Sequence, residues 1–237
     1  MSKDKSKHGA ISFVYPAYNE QDNIADSIAR AVSFAKKRNM RFEVIVVDDG
    51  SRDRTAEVVK EIVKSNKFVR LLQNRKNAGY GATVWKGLRA ARFKLVFLTD
   101  SDMQFNLADL DKFLRLIDSH DAVIGFRSSR SDGFMRKINM YGWNILIRTF
   151  LGIKIKDVDC AFKLFKTKVI KNIKIQSKGA MFSAELMYRI QKKGFKVTQL
   201  PVRHYPRKKG VQTGASPRVI FKAFVELARF KQGLRRD

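Results

Sequence analysis

The stretch Phe42-Glu-Val-Ile-Val-Val-Asp-Asp-Gly-Ser51 decides the fold class. Its first half is apolar at nearly every position. Neither face is written for water, so it reads as a strand covered on both sides. Two acids, a glycine and a serine then end it. Residues 54–65 follow, with apolar positions at Ala56, Val59, Ile62 and Val63. That is helical spacing, and Asp53 is placed to cap it. Val69-Arg-Leu-Leu72 is the next strand. Strand, helix and strand in that order form a βαβ unit.

The pattern repeats on both sides. Upstream, Ile11-Ser-Phe-Val-Tyr15 is a strand ended by Pro16, and residues 22–38 carry helical spacing at Ile24, Ile28, Ala31, Val32 and Ala35. Downstream, a glycine-containing loop leads into a helix over Gly79–Arg92, then a strand over Lys94–Thr99, a helix over 107–118 and a strand over Ala122–Gly125. The chain is therefore α/β, with a mixed, mainly parallel sheet flanked by helices. In such sheets ligands bind beyond the carboxyl ends of the strands. The segments to search are 16–23, 48–53, 74–81, 100–105 and 126–131.

The second half changes character. Residues 134–151 read as a helix with large apolar groups and basic punctuation, and 157–167 as a polar turn with a short strand. A helix over 181–193, a strand over 195–203 and a basic amphipathic helix over 217–231 complete the reading. The simplest partition is a flexible basic arm at 1–9, one domain over 10–215 and a basic C-terminal helix within 216–237.

Composition narrows the function classes. The chain has 237 residues, 49 Lys+Arg, 22 Asp+Glu and a formal net charge of +27, enough length for a real core and an excess of base that calls for an anionic partner. Twenty units of that charge fall after residue 120. One cysteine, Cys160, excludes an internal disulfide and a Cys-rich zinc site, and suits a reducing compartment. Neither a signal peptide nor a membrane-spanning run is expected. No G-x-G-x-x-G and no G-x-x-x-x-G-K-[ST] occurs, which sets aside dinucleotide enzymes and P-loop NTPases.

The chemistry gathers at the strand ends. Asp100-Ser-Asp102 puts two carboxylates one residue apart, and Gln104 repeats the spacing. Hard oxygen ligands in that pattern suit Mg²⁺ or Mn²⁺ and, through it, a diphosphate. An isolated pair of this kind, being short and common, is more often a solvated turn with a capping aspartate. Asp48 and Asp49 read either as helix caps or as acceptors for a ribose or base edge.

The combination is more specific than its members. Pro16-Ala-Tyr-Asn-Glu20, Val47-Asp-Asp-Gly-Ser51, Asn77-x-Gly-x-Gly81 and Asp100-Ser-Asp102 resemble, in order and spacing, the nucleotide-sugar-binding half of family 2 glycosyltransferases, which have the GT-A, Rossmann-like fold. The resemblance implies that Tyr18, Glu20 and Asp49 contact the nucleoside, and that Asp100, Asp102 and Gln104 hold the metal and diphosphate. Pro16, Asn77, Gly79 and Ser101 belong to the same donor site by their place in these motifs.

The later motifs look like the polyprenyl-phosphate sugar transferases, of which the dolichyl-phosphate mannose synthases are the familiar members. They are Gly125-Phe-Arg127, then Arg130, Arg136 and Arg148, then Lys156-Asp-Val-Asp-Cys-Ala-Phe-Lys-Leu-Phe165, Glu185, and Pro201-Val-Arg-His-Tyr-Pro-Arg207-x-x-Gly210. By that resemblance Arg127, Arg130, Arg136 and Arg148 meet the acceptor phosphate and Arg207 the donor. Asp102, Asp157 and Arg127 are the expected catalytic group. Asp157 and Asp159 suit a base, an orienting group, or simple tethers for nearby cations. Two stretches depart from the family. Cys160 stands where a serine is usual, and Thr213 where the last loop has a lysine.

The implied activity is inverting transfer of a sugar from a nucleotide-diphosphate sugar, of GDP-mannose or UDP-glucose type, to a polyprenyl phosphate. The implied place is the cytoplasmic face of an anionic membrane, bound peripherally through the helices 134–151 and 217–231, alone, as a homo-oligomer or beside a membrane-protein partner. A hydroxyl acceptor on a glycan or glycolipid is the alternative. A nucleic-acid-binding protein is the remote one, since charge alone suggests it and no recognition motif supports it.

Overall fold

The computed structural model describes residues 9–130, 134–207, 209, 225–227 and 230, with side chains for all of these except 129, 130, 134–141 and 143. The strands are β1 (Ala10–Ala17), β2 (Arg41–Asp48), β3 (Val69–Gln73), β4 (Leu95–Leu98), β5 (Ala122–Arg130), β6 (Lys163–Lys166) and β7 (Val197–His204). The helices are α1 (Ile24–Lys37), α2 (Thr55–Ser65), α3 (Tyr80–Ala90), α4 (Leu110–Ile117), α5 (Phe134–Leu151), α6 (Thr167–Lys171) and α7 (Phe182–Lys192).

The described strands form one sheet in the order β3-β2-β1-β4-β6-β5-β7. β1 runs parallel to β2 and β4, and β2 parallel to β3. β6 is antiparallel to both β4 and β5, while β7 is parallel to β5. The mixed, mainly parallel sheet expected from sequence is the one observed.

Side-chain alternation assigns the two faces. On β2, Phe42, Val44 and Val46 pack into the layer of α1, α2 and α4, while Ile45 and Val47 pack beneath α3 and α7. β1 and β4 divide the same way: Phe13 and Phe97 lie on the first face, Val14 and Val96 on the second. A run apolar at every position but the buried Glu43, which pairs with Arg70, thus feeds two cores at once, which is why the 42–47 stretch lacks a water-facing side. α1 supplies Ile24, Ile28, Ala31 and Ala35 to the first core at helical spacing. α3 comes close to the sheet at Gly87, where a side chain would overlap Val14 and lie 2.9 Å from Val47.

Several boundaries differ from expectation. The segment 107–118 opens with a 3₁₀ turn, Leu107–Asp109, because Asn106 Oδ1 accepts the Ala108 N–H, and α4 follows. β5 continues past Gly125 to Arg130, since β7 supplies a partner along that length with a register shift between Arg127 and Ser129. The short helix α6 was not legible in the sequence. Most of the expected 217–231 helix lies outside the described residues. Of it, 225–227 are helical, and Leu227 and Phe230 are buried beside α7. The arm at 1–9 lies outside as well, Gly9 excepted. No helix among the described residues is long and apolar enough to cross a membrane.

Candidate active site

The loops after β1, β2 and β3 are sewn together. Asn19, with φ of 57°, donates its N–H to Ser51 Oγ (2.9 Å) and accepts the Arg52 N–H on Oδ1 (2.8 Å). Glu20 N–H reaches Thr55 Oγ1 at 2.8 Å. Asp53 accepts the Thr55 N–H at 2.9 Å and the Gln21 N–H at 3.1 Å, but the residue at the cap of α2 is Arg54, so Asp53 stands one position before the cap it was expected to fill.

Asp49 is buried. Its Oδ1 accepts from Asn74 Nδ2 (2.8 Å) and Ala78 N–H (2.8 Å), and its Oδ2 from Gly79 N–H (3.0 Å). The residue expected to read the nucleoside is therefore engaged in holding the 74–79 loop. Gly79, with φ of 93°, turns that loop into α3 in a conformation that side-chain-bearing residues rarely adopt. Asn77, a neighbouring donor-site expectation, is exposed at the loop's edge.

Asp100-Ser101-Asp102 follows β4. Ser101 is buried and donates to the Pro16 carbonyl at 3.0 Å, while its own carbonyl accepts from Ser27 Oγ at 2.8 Å. The middle residue thus pins the motif to the end of β1, with the partly buried Asp100 and Asp102 on either side. Tyr80 Oη donates to Asp100 Oδ1 at 3.3 Å, and Asp102 Oδ1 accepts the Gln104 N–H at 3.1 Å.

Burial, together with the facing Asp102, pushes the Asp100 carboxyl up to about 7. Asp102 is also raised, chiefly by burial. Two desolvated acids side by side are short of positive charge, and a divalent cation supplies it. The residues therefore fit a hard cation, with two carboxylate ligands from the chain. Among the described residues no cluster of three or more His, Cys, Asp or Glu could hold a metal by itself. Gln104, expected as a third oxygen, sends its amide nitrogen to the Tyr205 carbonyl at 2.9 Å and so clamps the exit of β7 to this loop.

Two arginines expected at phosphates carry internal partners. Arg127 forms a two-pronged pair with Asp157, Nε to Oδ2 and Nη2 to Oδ1, both at 2.7 Å. Asp157 thus holds Arg127. Arg207 Nη2 lies 2.7 Å from both carboxylate oxygens of Glu20, and its Nη1 is 4.0 Å from Asp102 Oδ2. Glu20, Asp102 and Arg207 are thereby brought together across 187 residues of sequence. Arg148 is exposed on α5, Tyr18 is partly exposed beside the site, and the side chains of Arg130 and Arg136 lie outside the described set.

Three participants escaped the sequence reading. Lys163, 1% exposed on β6, donates to the Val158 and Cys160 carbonyls and holds the turn that carries Asp157 and Asp159. Burial pulls its ammonium below the ordinary lysine range. Tyr80 sat unnamed inside the Asn77–Gly81 motif. Asn74, just before it, braces Asp49. Only Lys163 left a signal, as a cation in the strand Lys163-Leu-Phe-Lys166. Glu185 is wholly buried, and accepts the Ser177 N–H and Arg189 Nε, each at 2.7 Å.

Residues 12–174 match the family described as "Glycosyl transferase family 2". The chain is 29% identical over 213 residues to a dolichyl-phosphate beta-glucosyltransferase of Dictyostelium discoideum, covering 81% of this chain and 65% of that protein. It is 27% identical over 205 residues to a dodecaprenyl-phosphate galacturonate synthase of Rhizobium johnstonii, covering 85% and 60%. The chain thus spans less than two thirds of the length of these curated relatives. Glucosyl-3-phosphoglycerate synthase from Mycobacterium tuberculosis, solved with Mn²⁺ and UDP-glucose, superposes with a TM-score of 0.65 at 18% identity, covering 92% of this chain and 79% of that one. At that identity the likeness speaks for the fold.

Proposed function

The chain belongs to glycosyl transferase family 2, and we propose that it moves a sugar from a nucleotide-diphosphate sugar to the phosphate of a polyprenyl phosphate, inverting the sugar carbon. The activities named for these relatives support a lipid-phosphate acceptor. The observation that carries the reading is the state of the carboxylates around the site. Asp49 serves the 74–79 loop, Asp157 serves Arg127, Glu20 serves Arg207, and Asp159 is engaged too. A hydroxyl acceptor needs a positioned base, whereas a phosphate monoester, with a second pKa of about 6, is its own nucleophile near neutrality.

In this reading Asp100 and Asp102 are the two ligands for Mg²⁺ or Mn²⁺, which would neutralise the charge that develops on the departing diphosphate. Tyr80 orients Asp100 through its hydroxyl. Arg207, steadied by Glu20, directs positive charge toward Asp102 and the donor. Arg127, fixed by Asp157, offers its remaining donor edge toward the acceptor, and guanidinium forks suit phosphate oxygens.

The acceptor lives in a bilayer, so the protein must reach one. α5 exposes Ile145 (44%) and Phe150 (46%) beside the exposed Arg148, while Ile147 and Leu151 face the core. That outward face suits an interfacial position at the cytoplasmic leaflet. The deciding experiment is a panel of GDP- and UDP-sugars with a short polyprenyl phosphate, with and without Mn²⁺. Metal-dependent transfer to the lipid phosphate is the expected result. Turnover on soluble sugar hydroxyls, with none on the lipid, would replace this reading.

A further inference from the structure

The loop that carries Tyr80 to Asp100 has a floor. The Ala82 N–H donates to the Lys178 carbonyl at 3.1 Å. A side chain on Gly79 would come within 2.9 Å of the Lys178 oxygen, and one on Gly81 within 2.9 Å of the Gly179 oxygen. Both glycines therefore rest directly on the backbone at 178–179. Any movement of that backbone moves the loop, and with it the Asp49 and Asp100 contacts.

The floor is braced from two sides. Glu185, within α7, accepts the Gln176 N–H at 3.1 Å as well as the Ser177 N–H. From far along the chain, Glu226 accepts the Met181 N–H at 3.2 Å, and its carboxylate lies so near Gly179 that any side chain there would overlap it. A carboxylate at the start of α7 satisfies an orphan N–H and meets the positive end of the helix. Its neighbours keep it there. Leu227 is buried in the core, and Phe230 stands edge-on to Tyr188 with ring centroids 5.6 Å apart.

We infer that Glu226 is a positioning residue for the donor site, acting through the 178–181 backbone to set the Asn77–Gly81 loop against Asp49 and Asp100. The inference rests on the donor-site reading above. It gives the C-terminal segment a role inside the catalytic domain, separate from any contact with lipid.

The test uses the full chain and two probes, UDP and GDP, each titrated calorimetrically with Mn²⁺, together with donor KM and kcat. Glu226→Ala should weaken whichever nucleotide the wild type binds by about fivefold and raise donor KM to match, with kcat at saturating donor within about twofold. Glu226→Gln keeps the acceptor oxygen and should recover most of the loss. Gly179→Ala displaces the carboxylate without removing it and should reproduce the loss. In the Glu226→Ala background Gly179→Ala should cost nothing more, since the clash is gone. Unchanged nucleotide affinity in a folded Glu226→Ala protein overturns the inference. If that variant does not fold, unchanged affinity in Gly179→Ala does so instead. A wild type that binds neither nucleotide with Mn²⁺ would sink the donor-site reading itself.

Discussion

At the scale of single residues, the site is a set of charges that hold one another. Asp100 and Asp102 differ from the rest in that burial raises both carboxyls above the usual carboxylate range. Asp102→Ala should lower sugar transfer by at least about 100-fold, an effect in the range of lost transition-state electrostatics, with the circular dichroism spectrum unchanged. Retained metal-dependent turnover would remove the motif from the mechanism. The Arg127–Asp157 pair is nearly dry, with side chains 11% and 10% exposed. Arg127→Ala removes both guanidinium bonds from a nearly buried carboxylate, so it should destabilise the fold by about 2 kcal/mol in urea unfolding. Adding Asp157→Asn should return part of that stability. If the single variant unfolds at the wild-type midpoint, the pair is not the tether described here.

At the scale of elements, the sheet positions the site and the helices press the sheet. α3 does both, because its N-terminus carries Tyr80 and its Gly87 touches Val14 and Val47. Gly87→Ala gains helix propensity but drives a methyl into two packed valines. The overpacking should win, with a net loss of about 1–3 kcal/mol in urea at unchanged m-value. A stabilised variant would show that α3 can lift from the sheet. β1 to β4 and their helices were legible because each is a local pattern: an apolar run, a helical stripe, a glycine or proline stop. The placement of β6 was not. It lies antiparallel between β4 and β5, and no periodicity within Lys163–Lys166 says which neighbours it takes. That insertion puts Lys163 opposite Leu98 and Ile124, between the strand leading to Asp100 and the strand leading to Arg127.

At the scale of the whole molecule, the net charge of +27 acts as a field. Each basic residue near an anionic leaflet is worth about 1 kcal/mol, and salt screens the attraction. Co-sedimentation with phosphatidylserine vesicles should therefore fall about tenfold between about 50 and about 500 mM salt. Binding that ignores both lipid charge and salt would locate the interaction elsewhere. The amino-acid order alone determined the α/β alternation, the strand ends where chemistry gathers, the Asp100-Ser-Asp102 pair and the basic second half. Each of these is encoded in neighbours along the chain, through backbone preference and the side on which a residue is buried. Only the tertiary structure decided that Glu20 meets Arg207, that Asp157 meets Arg127, that Asp49 braces a loop, and that Glu226 reaches Gly179. Such pairings span tens to hundreds of residues. They depend on strand order and on how the loops close, which hydrophobic periodicity does not record.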